Sequence, residues 1–371
     1  GNALFSLLPG TDLVLSFSRQ NYGTGKKPKP VRWRVWPNMF DDPNDVPLTI
    51  DFFLTPNFSL LPFTAAVEPL RSANRMAGKT LYHWRVLSED GKPVQASNGV
   101  EVNTVGTLYD LTDSDAVIVA AGIDAQHYKN DRVFGALRRL SRQGAAIGSV
   151  CTGAHVLARA GLLEDRRCTI HWENLGGFTE EFPEIDVTSD LFEIDRDRFT
   201  CSGGTAALDM MLHLIARQHG FKLANEVSEQ FIHDRIREPH DHQRMELRAR
   251  LGVSHPKLIN VIAEMEANLE EPLSQTTLAD KAGLSTRQLE RLFRKYLSST
   301  PTRYYLNLRL QRARQLLAQT SMSILSVALA CGFVSASHFS KCYRECFGRT
   351  PRAERAVRHD APTLVMQKLA G

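Results

Sequence analysis

Two kinds of chemistry are legible in the side chains of this chain. The apolar run Ala145 to Val150 leads straight into Cys151-Thr152-Gly153 and then into a helical pattern ending at Gly161. A cysteine at a sharp strand-to-helix turn has the form of a nucleophile elbow: the helix N-terminus favours the thiolate, and the loop offers N–H groups to an anion. His171, within Thr169-Ile170-His171-Trp172-Glu173, follows the next expected strand and is placed to reach the same crevice. One cysteine and one histidine leave two readings open, a catalytic pair or a packed thiol beside an ordinary histidine.

The second chemistry is cationic. Between Pro256 and Arg355 there are 15 Lys plus Arg against 8 Asp plus Glu, whereas the rest of the chain holds 30 against 33. A basic C-terminal region on a mildly acidic remainder fits a nucleic-acid-binding module attached to a different domain, although a solvated basic surface gives the same count. Pattern separates the two. Ala279, Gly283, Leu289, Phe293 and Pro301 are echoed by Ala328, Gly332, Phe339, Tyr343 and Pro351, at separations of 49 or 50. Each copy has the form of a helix-turn-helix: a short helix (Thr277 to Ala282, then Ile324 to Cys331), a Gly at its end, and a second helix entered through Ser285 or Ser335. The tight turn needs a positive φ that residues with a Cβ avoid, and the Ser caps the free N–H groups of the next helix.

On the first of these second helices Leu289, Leu292 and Phe293 face inward, which turns Arg287, Glu290, Arg291 and Arg294 outward. Such a face suits a DNA major groove, where an Arg-to-guanine contact contributes roughly 1–3 kcal/mol of discrimination. In the second copy the same logic exposes Ser337, His338, Ser340 and Lys341, a face suited more to phosphate than to base reading. Leu306, Leu310, Ala313 and Leu317 predict one connecting helix of about sixteen residues. It would hold the two reading helices about 34 Å apart, one DNA turn, on one side of the duplex.

The elements that must position Cys151 are of another type. Leu48 to Leu54, Tyr82 to Leu87, Ala116 to Ala121 and Ala145 to Val150 read as strands, with amphipathic helices such as Thr64 to Met76 and Arg132 to Arg142 between them. That alternation predicts an α/β fold, a mainly parallel sheet with helices on both faces, followed by an all-α double helix-turn-helix domain. Lys222 to Arg237 is helical in pattern, and Glu238 to His255, with Pro239 and three histidines, is the expected hinge. With 371 residues the chain is long enough for two or three domains. We assign 1–46 as an extension of little predicted structure, 47–222 as a sensing domain and 223–255 as helix and linker. DNA binding falls to 256–355, and 356–371 is a tail. Six cysteines without a C-x-x-C pair point to free thiols, and neither metal nor cofactor is expected. No run approaches the length of a membrane span, and Ala3 to Phe17 is interrupted by Pro9, Gly10 and Asp12, so a cytoplasmic protein is expected.

Residues 256 to 355 resemble the AraC/XylS family DNA-binding domain. The resemblance is carried by Gly332-Phe333-Val334-Ser335, His338-Phe339-Ser340-Lys341 and Phe347-Gly348-Arg349-Thr350-Pro351. Residues 48 to about 220 resemble the PfpI-like class I glutamine amidotransferase fold, flavodoxin-like in its sheet, with Cys151 at the elbow and Ser202-Gly203-Gly204-Thr205 opening the last helix. Enzymes of that fold set an acidic side chain against the thiol, from the loop after the first strand. Here that loop reads Asn57-Phe58-Ser59-Leu60-Leu61-Pro62, and Pro62 takes the acidic position. The elbow is therefore expected to be degenerate and the chain not to be an enzyme.

Together the halves resemble the GlxA-type branch of AraC-family regulators. Glu68-Pro69-Leu70-Arg71, His171-Trp172-Glu173 and Gly203-Gly204-Thr205-Ala206 resemble regulators of glycine betaine and carnitine catabolism. The resemblance implies a transcription activator that binds promoter DNA and a small-molecule effector, contacts RNA polymerase and forms a homodimer, with Thr205 to Gly220 as the expected contact. Asn57, Phe58, Cys151, Thr152, His171, Trp172 and Glu173 are the expected ligand residues: Phe58 and Trp172 would face a trimethylammonium group, and the Cys151-Thr152 N–H groups would receive a carboxylate. For both aromatics, ordinary core packing stays open. Two alternatives stand beside this reading, an amidotransferase-like cysteine hydrolase fused to a DNA-binding module and a ligand-independent DNA binder.

Overall fold

The structure, a computed structural model, describes residues 47–357. The expected extension 1–46, and all but the first two residues of the expected tail 356–371, lie outside the described residues.

The first half runs β1 (Leu48–Leu54), α1 (Leu60–Ala77), β2 (Tyr82–Ser88), β3 (Val94–Gln95), β4 (Glu101–Val102), β5 (Gly106–Thr107), β6 (Ala116–Ala121) and α2 (Asp131–Arg142). It continues through β7 (Ala146–Cys151), α3 (Ala154–Arg159), β8 (Cys168–Thr169), α4 (Trp172–Glu181), β9 (Val187–Thr188), β10 (Phe192–Asp195), β11 (Arg198–Cys201), α5 (Ala206–His219) and α6 (Phe221–Gln230). Seven strands form one sheet in the order β10-β11-β7-β6-β1-β2-β5, parallel throughout except for β10 at one edge. Strand β6 reads AVIVAA and is buried at every position, as a strand covered on both faces must be. Two separate cores do the covering. Phe52, Leu70, Met211 and Val227 belong to one, which joins α1, α5 and α6, while Val119, Leu137, Leu157 and Phe178 belong to the other, which joins α2, α3 and α4.

The helix expected over Lys222 to Arg237 stops at Gln230. The cause lies far away in sequence. Asp209 of α5, fully buried, accepts from His233 Nε2 at 2.8 Å and from Arg237 through its backbone N–H (2.8 Å), Nε (2.9 Å) and Nη2 (2.6 Å). A buried carboxylate that needs several donors captures this segment in a non-helical form. The following hinge lies along the sheet domain. Leu191 donates its N–H to Pro239 O at 2.8 Å, and Gln243 Nε2 donates to Thr169 Oγ1, Ile170 O and Asp190 O at 2.8–3.1 Å.

The second half is helical: α7 (Leu247–Leu251), α8 (Pro256–Ala267), α9 (Gln275–Lys281), α10 (Thr286–Leu297), α11 (Pro301–Gln319), α12 (Ile324–Ala330), α13 (Ala336–Phe347) and α14 (Pro351–Val357). The predicted connector is α11, at 19 residues longer than the apolar spacing alone implied. Tyr305 in its first half joins Leu258, Leu289 and Phe293 in one core, and Leu310, Leu316 and Leu317 join Val327, Phe339 and Tyr343 in another.

Asp209→Ala is expected to destabilise the sheet domain by about 3–5 kcal/mol, because Arg237 would lose its buried partner. Chemical denaturation followed by tryptophan fluorescence measures this, and an unchanged transition would contradict the role given to the carboxylate.

Candidate functional site

The helix-turn-helix pairs are α9–α10 and α12–α13. The turn of the first pair is at Gly283, φ 60°, and that of the second at Gly332, φ 73°, both in the left-handed region their sequence position calls for. Ser285 Oγ accepts from the Gln288 N–H at 3.2 Å while Gln288 Oε1 accepts from the Ser285 N–H at 2.8 Å, a reciprocal cap that fixes how the chain enters α10. Leu289 and Phe293 are fully buried beneath it, Leu292 is half-buried, and Arg287, Arg291 and Arg294 are exposed. With Ser285, Gln288 and Glu290 these arginines border an open depression along α10. Glu290 differs from its expected role. It is half-buried and accepts from Gln275 Nε2 at 3.1 Å, which braces α10 against α9.

In the second pair Ser335 Oγ accepts from the His338 N–H at 3.4 Å. Ser337, His338 and Lys341 are exposed and Ser340 is half-buried. The His338 ring turns back along its own helix, with Nε2 3.4 Å from Cys342 Sγ, and sits beside Phe333. Two braces lie outside the repeated motif. Arg309 of α11 donates from Nε to Cys331 O and from Nη2 to Gly332 O, both at 2.7 Å, with its guanidinium over Phe333. Lys257 Nζ of α8 donates to Gly283 O at 2.9 Å. Each turn is thus held by a cation from outside its own motif. Only the general rule that the last carbonyls of a helix attract cations could have suggested them. Gln288 is a further exposed residue on the outward face of α10, and its capping-box spacing was the available signal.

The elbow is formed as expected. Cys151 ends β7 with φ 61°, a strained conformation for a residue with a side chain, and α3 begins three residues later. The thiol lies against Thr152 and the Ser59 side chain. Burial pushes it up to about 11; the Thr152 and Ser59 hydrogen bonds oppose that shift, and the Glu173 carboxylate adds to it. His171 is the N-cap of α4. Its Nδ1 accepts from the Glu173 N–H at 3.4 Å and lies 3.8 Å from Glu173 Oε2, while the backbone N–H of His171 donates to Cys151 O at 3.3 Å. Burial lowers the imidazole, which favours the neutral ring. The histidine therefore holds the elbow backbone, and its Nδ1 is committed to Glu173. Pro62, at the position of the missing acid, is buried in the first turn of α1.

The expected aromatic cage is not assembled. The Phe58 side chain is fully buried against Phe63, and only its backbone reaches the elbow side, bridging to Gly122 and Ala96. A phenyl ring beside an apolar helix gains more by joining the core than by facing solvent. Trp172 is half-buried, and the guanidinium of Arg244, from the hinge, lies 4.4 Å from its ring centre. Asn57 is exposed in the left-handed region at φ 57°, Thr152 Oγ1 donates to Gly122 O at 2.7 Å, and Glu173 is exposed. Cys151, Thr152, His171 and Glu173 therefore cluster at the elbow, with Ser59 as a further member that the sequence motifs did not single out. No group of His, Cys, Asp and Glu able to hold a metal occurs among the described residues. Nor is any described helix long and apolar enough to cross a membrane.

Because the reactive form of a thiol is the thiolate, a raised pKa moves reactivity to higher pH. Iodoacetamide labelling of Cys151, read by peptide mass spectrometry, is expected to be slow at pH 7 and to climb about tenfold per pH unit towards pH 10. A rate already level by pH 8 would contradict the buried, protonated thiol.

Residues 50–217 match the DJ-1/PfpI family and residues 278–356 a helix-turn-helix domain family. Over 312 residues the chain is 52% identical to the HTH-type transcriptional regulator GbdR of Pseudomonas aeruginosa, covering 84% of this chain and 85% of that protein. It is 51% identical to the regulator CdhR of the same species over 82% of this chain and 91% of CdhR. To the regulator GlxA of Rhizobium meliloti it is 39% identical, over 81% and 94% of the respective chains. A parallel sheet with an elbow cysteine, a tandem of capped reading helices, and this likeness along both halves lead to one conclusion: the chain belongs to the HTH-type transcriptional regulators that join a DJ-1/PfpI domain to an AraC-type DNA-binding domain, and it is a DNA-binding transcription regulator.

Proposed function

We propose that this regulator is an effector-responsive activator that works as a homodimer in the cytoplasm, engages RNA polymerase at its promoters and carries out no catalysis. The observation that carries the sequence-reading role is α10: a helix with a reciprocal N-terminal cap whose buried face is Leu289 and Phe293 and whose free face presents Arg287, Arg291 and Arg294. Three cations on one exposed helical face suit phosphate and guanine edges. In the second unit Ser337, His338, Ser340 and Lys341 take the corresponding place, and α11 would set the two helices about one DNA turn apart. Glu290 acts there by positioning α10.

The effector site is the crevice of Cys151, Thr152, His171 and Glu173 at the carboxyl ends of the strands, where a doubly wound sheet accepts small molecules. A thiol held protonated and without a carboxylate partner favours binding over turnover, which argues against a cysteine hydrolase. An amine or quaternary-amine metabolite, such as glycine betaine or carnitine, fits the exposed Glu173 carboxylate and the Trp172 ring, which already receives one cation from Arg244.

Arg291→Ala is expected to weaken binding to the cognate promoter by roughly 1–3 kcal/mol and to relax base preference at one position. Footprinting on a randomised operator reads both effects, and an unchanged footprint would reject the assignment. Cys151→Ala should leave promoter activation in place. Loss of induction with DNA affinity retained would show the thiol to be needed for the effector, and a thermal-shift series over betaine, carnitine, dimethylglycine, choline and arginine identifies the ligand.

A further inference from the structure

Helix α4 carries two features that its own stability does not explain. Its N-cap is His171, whose backbone N–H donates to Cys151 O, so its first turn is joined directly to the elbow. One turn further on, a helix of only ten residues contains the adjacent pair Gly176-Gly177. Glycine in a helix interior gives up the most conformational freedom on folding and adds no packing, so two together weaken the helix unless something must come close.

That neighbour is α11, the connector of the DNA-binding half. A Cβ at Gly176 would stand 1.8 Å from the guanidinium nitrogens of Arg312, and one at Gly177 would stand 3.1 Å from Gln319 Cβ and 3.2 Å from Thr320 Cγ2. The buried side chain of Gln126 adds a bond from Nε2 to Ala318 O at 3.3 Å. The end of α11 records the same contact independently. Leu316, Leu317, Ala318 and Gln319 are buried in succession, which spans more than a full turn. A helix covered from one side only would leave part of that turn in solvent. An open cleft, with Trp172 and Glu180 on one wall and Leu308 and Gln315 on the other, borders the seat and leaves α4 room to tilt.

We propose that α4 is the output element of the sensing half, and that its diglycine seat on α11 couples occupancy of the elbow crevice to DNA engagement. The proposal rests on the reading of this chain as an effector-responsive regulator. Coupling between two sites is reciprocal, so DNA bound at the reading helices must be felt at α4 as strongly as an effector is felt at the DNA. The effector need not be known for the test.

The experiment is hydrogen exchange on the full chain, with and without a duplex recovered by binding selection from genomic fragments. Exchange of the amides of residues 171–182 is expected to change by roughly fivefold or more on duplex binding, the low end of ordinary site-to-site coupling. Gly177→Leu, which wedges the helices apart, should abolish that change. Because Gly177 is buried and this variant could misfold, a Gln126→Ala, Arg312→Ala double variant removes contacts from both sides while leaving both cores intact, and it should also lose the response. The coupling is overturned if the wild-type α4 is indifferent to a bound duplex, or if the folded double variant responds as the wild type does. Failure of the chain to bind any duplex would instead defeat the regulator reading, and the coupling with it.

Discussion

One helix has to serve two hydrophobic cores, and the DNA-binding half depends on that constraint. Helix α11 contributes Tyr305 to the core beneath α10, and Leu310, Leu316 and Leu317 to the core beneath α13. Its rotation about its own axis is therefore fixed at both ends. The two reading helices cannot change phase independently without exposing one of these cores, each residue of which is costly to expose. Arg309, bonded to the carbonyls at the second turn, ties that turn to the same helix.

The sheet domain keeps the architecture of an elbow site while altering its chemistry. The strained Cys151 at the end of β7 and the helix that follows it are both present. Burial holds the thiol protonated, Glu173 opposes ionisation further, and Pro62 stands where an acid would assist. The His171 imidazole caps α4, and the backbone N–H of the same residue fastens α4 to the elbow at Cys151 O.

The hinge is similarly committed. Asp209 gathers His233 and Arg237, Gln243 is bonded to three acceptors of the sheet domain, and Arg244 covers the Trp172 ring. The segment between the halves is thus fastened beside α4, the same helix whose glycines meet α11. Any displacement of α4 meets both the hinge and the connector.

Local sequence determined a great deal here. Alternating apolar runs located β1, β6 and β7 to within a residue, since a strand buried on both faces has no choice of side chain. The repeat at 49 or 50 residues, with Gly283, Gly332, Ser285 and Ser335 in place, specified both helix-turn-helix units, because turns and caps are formed by residues a few positions apart. Tertiary structure decided whatever depended on distant partners. A carboxylate on α5 ended α6 at Gln230, core packing drew the Phe58 ring away from the elbow, and Gln275 of α9 engaged Glu290 as a brace. The meaning of Gly176 and Gly177 was equally hidden. A glycine pair gives no sign of what approaches it until another helix, more than a hundred residues onward, is laid against it.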